Sequence, residues 1–193
     1  MDIIFVRHGK TEVNEKGQYG GFIDTPLSPG GAEEVQAAAK LLKGSGFKNI
    51  YISPLKRARQ TAEILQVNGK QDHRLKEMNF GIFEGLSYSE ISRLYPKEAQ
   101  EWMMDYISYR IPSGESLMDV YERVSDFLSE VSEEKGPILV VTHEGVIKCA
   151  LCSILGNPEY FYRFKAVHCR FTQIALEDGY SFIKAMNSAE IYK

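Results

Sequence analysis

Apolar residues recur along this chain with two different spacings. Two short stretches are apolar at every position: Ile3-Ile4-Phe5-Val6 and Ile138-Leu139-Val140-Val141. Unbroken aliphatic and β-branched runs of this length predict strands buried on both faces, the habit of a parallel sheet. Lys48 to Ile52 predicts another buried strand. Elsewhere apolar positions fall three and four apart, the spacing of one helix face. Val35, Ala38, Ala39 and Leu42 form one stripe, opened by Ser28-Pro29 as cap and first-turn proline and closed by Gly44. Leu55, Ala58, Ala62 and Leu65 form a second, behind a repeated Ser53-Pro54 signal. Ser87 with Glu90 fits a capping box. Pro96 interrupts the helix begun there, and a helix carrying Trp102 and Met103 resumes. The clearest stripe is Leu117, Val120, Tyr121, Val124, Phe127, Leu128 and Val131, which leads straight into the run at Ile138. Another helix reaches Gly156, Asn157-Pro158 starts a short one, and Asp178-Gly179 between Thr172–Leu176 and Ser181–Ala185 signals a hairpin. Strand-then-helix order continues to the end, with no repeat, low-complexity tract or linker. The expectation is a single α/β domain over residues 1–193. It is a three-layer α/β/α sandwich with a mostly parallel central sheet and a C-terminal hairpin.

Composition adds exclusions. The 193 residues are 44% hydrophobic and 25% charged, with a net charge of -3. No overall basic charge draws the chain to nucleic acid or an anionic membrane. No apolar stretch approaches a membrane span, and the N-terminus opens into a strand and not a signal peptide. Three cysteines do not make a disulfide framework, so a reducing cytoplasm is expected.

Both apolar runs stop at a histidine: Arg7-His8-Gly9 and Thr142-His143-Glu144-Gly145. Ligands of open α/β sheets bind at the carboxyl ends of the strands, so two imidazoles and an arginine are expected in one crevice. His8 reads as a nucleophile. Attack needs a neutral ring with one bare nitrogen, so a backbone carbonyl should take the proton on the other. The bland alternative, a strand-end histidine satisfied by backbone, must also explain the second one. Arg7 supplies a planar fork suited to phosphate. Arg57, in the first turn of a helix after a strand, adds a cation where the helix dipole already favours an anion, whereas Lys56 and Arg59 read as solvated. Glu77 lies among aromatics and glycines, which suits a partly buried carboxyl of raised pKa that donates a proton to a leaving alkoxide. Glu84 competes for that role, as does a plain loop carboxylate. His143, neutral or protonated, would stabilise charge on the transferred group.

Other readings fall away. There is no Walker loop, dinucleotide fingerprint or Gly-x-Ser-x-Gly elbow, and Ile147 spoils a His-Glu-x-x-His zinc helix. Cys149 and Cys152 read as a packed helix face. His73 and His168 have no motif around them. Trp102, Met103, Met104, Tyr106 and Tyr109 could wall a pocket, with core packing or a dimer contact as the default.

Taken in order, these motifs make the chain resemble the histidine phosphatase superfamily, the phosphoglycerate mutase-like proteins. The resemblance rests on Arg7-His8-Gly9-Lys10-Thr11 with Asn14, Gly21, Asp24-Thr25-Pro26-Leu27, Ser53 to Ala62, Glu77 to Gly85, Pro112-Ser113-Gly114-Glu115-Ser116 and Thr142 to Gly145. It implies a phosphoglycerate mutase-like fold and a phosphorylated His8. It implies phosphate binding by Arg7, Arg57 and His143 with Asn14, and Glu77, over Glu84, as acid and then base. No metal or cofactor is implied. The partner would be a small-molecule phosphomonoester and the protein a monomer or homodimer. The chain lacks the insertion that follows the Glu motif in the mutases, which favours hydrolysis. The Glu-x-x-Phe-Gly-x-Phe-Glu-Gly run and the Pro-x-Gly-Glu-Ser segment are most similar to the α-ribazole phosphatases. That makes α-ribazole 5′-phosphate the expected substrate. Broad-specificity phosphatases, a phosphomutase and a non-catalytic phospho-ligand binder are the alternatives. Lys10 and the tail Val167-His168-Cys169-Arg170-Phe171 depart from the family pattern. Lys10 would bind a second anion or face solvent.

Overall fold

The computed structural model describes residues 1–42, 46–177 and 179–192, so the helix-closing Gly44 and Asp178 of the hairpin signal lie outside the described residues. Asp2–Arg7 forms β1, the four residues Glu12–Glu15 form α1, and Pro29–Leu42 forms α2. Asn49–Ile52 is β2, Lys56–Ile64 is α3 and Lys70–Gln71 is β3. Tyr88–Leu94 and Pro96–Met104 are α4 and α5, with Pro96 starting the second helix at the position where its missing N–H costs nothing. Leu117–Val131 is α6, Ile138–Thr142 is β4 and Glu144–Ile154 is α7. Pro158–Arg163 is a 3-10 turn, and Phe171–Glu177 (β5) and Tyr180–Ser188 (β6) form the hairpin.

The sheet order is β3-β2-β4-β1-β5-β6. The first four strands in that order are parallel, and β5 and β6 join antiparallel. The apolar runs divide residue by residue between the two faces. Ile4, Val6, Leu139 and Val141 pack with Val35, Leu42, Ala58 and Leu65 of the α2 and α3 side. Ile3, Phe5, Ile138 and Val140 pack with Val120, Val124, Phe127, Val146 and Leu151 of the α6 and α7 side. This is the three-layer sandwich expected of continuous apolar strands.

The register positions the site. Arg7 pairs with Thr142 and Ile52 with Val141, so His8, Ser53 and His143 emerge together at the strands' carboxyl ends. One local expectation is corrected here. α3 starts at Lys56 with Leu55 as its cap residue, and Ser53-Pro54 does not cap it. Ser53 Oγ is engaged instead with His143 Nε2 at 2.7 Å.

Candidate active site

A cavity of about 300 Å³ opens above these strand ends. Arg7, His8, Asn14, Arg57 and Glu77 line its inner end, and Tyr19, Phe80, Trp102, Tyr106, Phe161 and Tyr162 line its outer walls. Of the tryptophan segment, Trp102 and Tyr106 reach the cavity, while Met103 and Met104 point to solvent.

His8 is buried, its backbone N–H donating to the Thr142 carbonyl at 2.9 Å. Its Nδ1 lies 2.6 Å from the Gly9 carbonyl, an oxygen that can only accept, so the ring proton resides on Nδ1. Nε2 is therefore bare and accepts from Arg57 Nε at 3.3 Å. Burial, with the cations Arg57 and Arg7 alongside, holds the pKa of His8 well below the usual histidine range. This is the neutral ring with one bare nitrogen that attack demands.

Arg57 reaches the cavity from the first turn of α3, anchored by donating to the Ile23 and Gly21 carbonyls at 3.0 and 2.8 Å. Arg7 donates Nη1 to the Ala166 carbonyl at 2.6 Å and pairs with Glu144 at 2.5 Å, and its buried Nε has no partner among the described residues. Asn14 closes a capping box with Thr11 through Oδ1, which leaves its amide nitrogen as the end available to a ligand.

Glu77 accepts from the Met78 and Gly145 N–H groups at 3.0 and 3.3 Å. Glu84, the competing carboxylate, instead ties loops together by accepting from Phe22 N and Phe80 N. A Cβ on Gly145 would overlap Glu77 Oε1. Gly145→Ala is expected to push the carboxylate aside and lower kcat at least about tenfold, since small misplacements of a reacting group are expensive. The displaced atom is the end of a flexible side chain and alanine favours a helix, so Tm should not fall. Parallel turnover and melting measurements check both halves.

His143 packs edge-on to His8, ring centroids 4.9 Å apart, behind the cavity wall and not on it. Burial and the cations Arg57 and Arg7 lower its pKa well below the ordinary value, so the ligand-free ring is neutral and not the cation that was one expectation. Its buried Nδ1 has no partner among the described residues.

Sequence reasoning missed several residues. Arg123 of α6 donates to the Arg74, Lys76 and Glu77 carbonyls at 2.5, 2.7 and 3.1 Å and pairs with Glu115, so it braces the loop that carries Glu77. Lys148 of α7 lines the cavity with its ammonium over the Phe161 and Tyr162 rings at 3.9 and 5.0 Å. Two dismissed or open residues also resolve. Lys10 turns to Glu34 at 2.6 Å, away from the cavity. His168, read as bland, packs its ring 5.3 Å from that of His8, while His73 is exposed. Cys149 and Cys152 are buried in α7 as a packed face. Among the described residues no helix is long and apolar enough to cross a membrane, and no group of three or more His, Cys, Asp or Glu could hold a metal.

Burial, ahead of the nearby cations, also takes His168 down, to about 4. In the unfolded chain His8, His143 and His168 revert to about 6.5. Above that pH none of them distinguishes the two states. Below it the unfolded chain binds protons that the folded one refuses, so stability is lost as pH falls. Each histidine contributes a slope of about 1.4 kcal/mol per pH unit, roughly 4 for the three. Urea unfolding followed from pH 7 to 4.5 should show this. Uptake of fewer than two protons on unfolding near pH 5 would contradict it.

The model of the histidine phosphatase superfamily (branch 1) matches residues 3–189. The chain belongs to the histidine phosphatase superfamily. It is 30% identical to phosphoserine phosphatase 1 of Hydrogenobacter thermophilus, over 97% of this chain and 92% of that protein. It is 36% identical to human 6-phosphofructo-2-kinase/fructose-2,6-bisphosphatase 4 over 80% of this chain, which spans only 33% of that longer protein. The solved α-ribazole phosphatase of Shigella flexneri superimposes with a TM-score of 0.92 at 27% identity, covering 100% of this chain and 99% of that one. Membership in this superfamily supports phosphatase activity.

Proposed function

We propose that this histidine phosphatase hydrolyses phosphomonoesters without a metal, through a phosphohistidine on His8, and that α-ribazole 5′-phosphate is its substrate. The observation that carries the chemistry is the His8 ring: its proton is committed to the Gly9 carbonyl and its bare Nε2 stands beside Arg57 at the cavity floor. The substrate phosphoryl group lies between Arg7 and Arg57, with Arg57 free of any ion pair among the described residues and Arg7, though paired with Glu144, keeping its Nε–H unpartnered. Nε2 forms a bond to phosphorus as the ester P–O bond breaks, and Glu77 gives its proton to the departing alkoxide. Water then attacks the phosphohistidine, Glu77 takes the water's proton, and the N–P bond breaks to release phosphate and restore His8. The His143 ring packs against that of His8, and with Ser53 Oγ donating to Nε2 its proton would sit on the otherwise unpartnered Nδ1 as a further donor to the transferred group. Phosphoryl transfer asks mainly for such positioning and charge stabilisation.

The choice of substrate rests on the outer walls. Tyr19, Phe80, Trp102, Tyr106, Phe161 and Tyr162 offer ring faces and edges to a planar aromatic group such as a benzimidazole. One residue favours a second reading. The Lys148 ammonium faces the cavity, forms no ion pair among the described residues and is partly desolvated, which lowers its pKa. A buried cation gains from an anionic partner. A substrate with a second acidic group, such as phosphoserine, would supply one.

Phosphate release in EDTA separates these readings, with α-ribazole 5′-phosphate, phosphoserine and 3-phosphoglycerate in the panel. The expected result is turnover unaffected by the chelator and a kcat/KM for α-ribazole 5′-phosphate at least about 10²-fold above the others. A preference for the carboxylated esters that disappears in Lys148→Met would establish the second reading. Activity that vanishes with EDTA would sink the metal-free scheme.

A further inference from the structure

The segment preceding β5 crosses the end of β1 and binds it at several points. Asn187 of β6 holds this segment from outside. It accepts from Val167 N through Oδ1 and donates Nδ2 to the Lys165 carbonyl, both at 2.7 Å. From there Ala166 O accepts from the Arg7 guanidinium, Cys169 N donates to the Arg7 carbonyl at 3.0 Å, and His168 Nδ1 donates to the His8 carbonyl at 2.8 Å. Cys169 adopts φ of 56°, a left-handed conformation uncommon outside glycine and asparagine. Such strain persists where the surroundings over-determine it.

The consequence for the nucleophile comes from one peptide plane. The carbonyl of the His8–Gly9 peptide accepts from His168, and its N–H donates to Thr61 Oγ1 at 3.1 Å. Thr61 is itself tied to the Arg57 carbonyl at 2.7 Å. Both edges of that peptide are therefore pinned. The next carbonyl along, that of Gly9, takes the His8 Nδ1 proton and so keeps Nε2 bare. The His168 ring also packs edge-on to that of His8 and, like His143, does not line the cavity; it reaches the nucleophile through the backbone.

We propose that His168 is a positioning residue for the nucleophile. By donating to the His8 carbonyl, it fixes the peptide that sets the tautomer and aim of the His8 ring. This rests on the reading of His8 as the attacking group. The hydrogen bond, and not the bulk of the ring, is the part that matters. A donor of different shape should therefore substitute for it, while an aromatic ring without a donor should not.

The test compares His168→Ala, His168→Phe and His168→Asn with the unaltered chain, using p-nitrophenyl phosphate as the generic probe. Alanine and phenylalanine should each lower kcat at least about tenfold with KM within about twofold, because aim and not affinity is lost. Asparagine, whose amide donates, should recover kcat to within about threefold. Full kcat in His168→Phe, a change confined to KM, or no rescue by asparagine would each overturn the proposal. If the unaltered chain releases no phosphate from any ester, it is the phosphatase reading that fails. The His8 imidazole 15N spectrum then decides the positioning role separately. A single Nδ1–H tautomer that becomes a mixture in His168→Ala supports it, and an unchanged spectrum refutes it.

Discussion

His8→Ala is expected to lower kcat for phosphomonoesters by at least about 10⁴-fold, because the covalent route is removed outright and not merely weakened. Phosphate binding should survive within about tenfold. Arg57 keeps its anchors on the Gly21 and Ile23 carbonyls, and Arg7 keeps its own on Ala166. The geometry also specifies which nitrogen is phosphorylated. Nδ1 is committed to Gly9, so the label must sit on Nε2. Brief incubation with 32P-labelled substrate and an alkaline quench should trap base-stable, acid-labile label on the unaltered chain and none on His8→Ala. Label that persists in the variant would mean that another residue attacks.

Glu77→Gln should cost about 10²–10⁴-fold in kcat/KM on alkyl phosphates, the usual range for a general acid. The loss in kcat/KM should shrink to about tenfold or less on p-nitrophenyl phosphate, whose leaving group departs without a proton, while kcat stays low because hydrolysis of the phosphohistidine still lacks its base. Glutamine keeps one oxygen to accept the Met78 N–H at 3.0 Å, and its NH2 end falls at the longer Gly145 contact of 3.3 Å, so the loop should hold. Equal losses in kcat/KM on both classes of substrate would make Glu77 a structural or electrostatic residue, and the proton would have to come from elsewhere.

Much of this was legible in the chain. Unbroken apolar runs marked β1 and β4, because a strand buried on both faces has no polar side to show. The histidines at their ends met because parallel register brings equivalent positions level. The hairpin and the α6 stripe were legible for similarly local reasons. What escaped were features whose partners lie far off in sequence. α1 and β3 are too short for any periodicity. Ser53 looked like a helix cap until a histidine 90 residues on claimed its hydroxyl. Arg123 sat on a well-read helix, yet its contacts are loop carbonyls some 46 to 49 residues earlier. His168 has no local motif, since the group it serves is 160 residues away. Lys148 was lost in a mostly apolar helix, and the cavity beside it shows why a charge is there.

The place of β1 in the middle of the sheet has a further consequence, in time instead of space. It is the first strand in chain order, and its neighbours β4 and β5 are among the last. Ile3 to Val6, at most 1% exposed in the finished molecule, must therefore wait for some of the final elements before they can be covered. At translation rates of about 5–20 residues per second, the interval between Val6 and Ile138 is roughly 7–26 seconds. During that interval a naked, highly apolar segment trails from the ribosome, with the nucleophile attached and inert. The two imidazoles that pack against it, His143 and His168, have not yet been made. The strand that carries the nucleophile is thus made well before the elements that cover and complete it, which makes β1 a segment that a nascent-chain chaperone would be expected to hold.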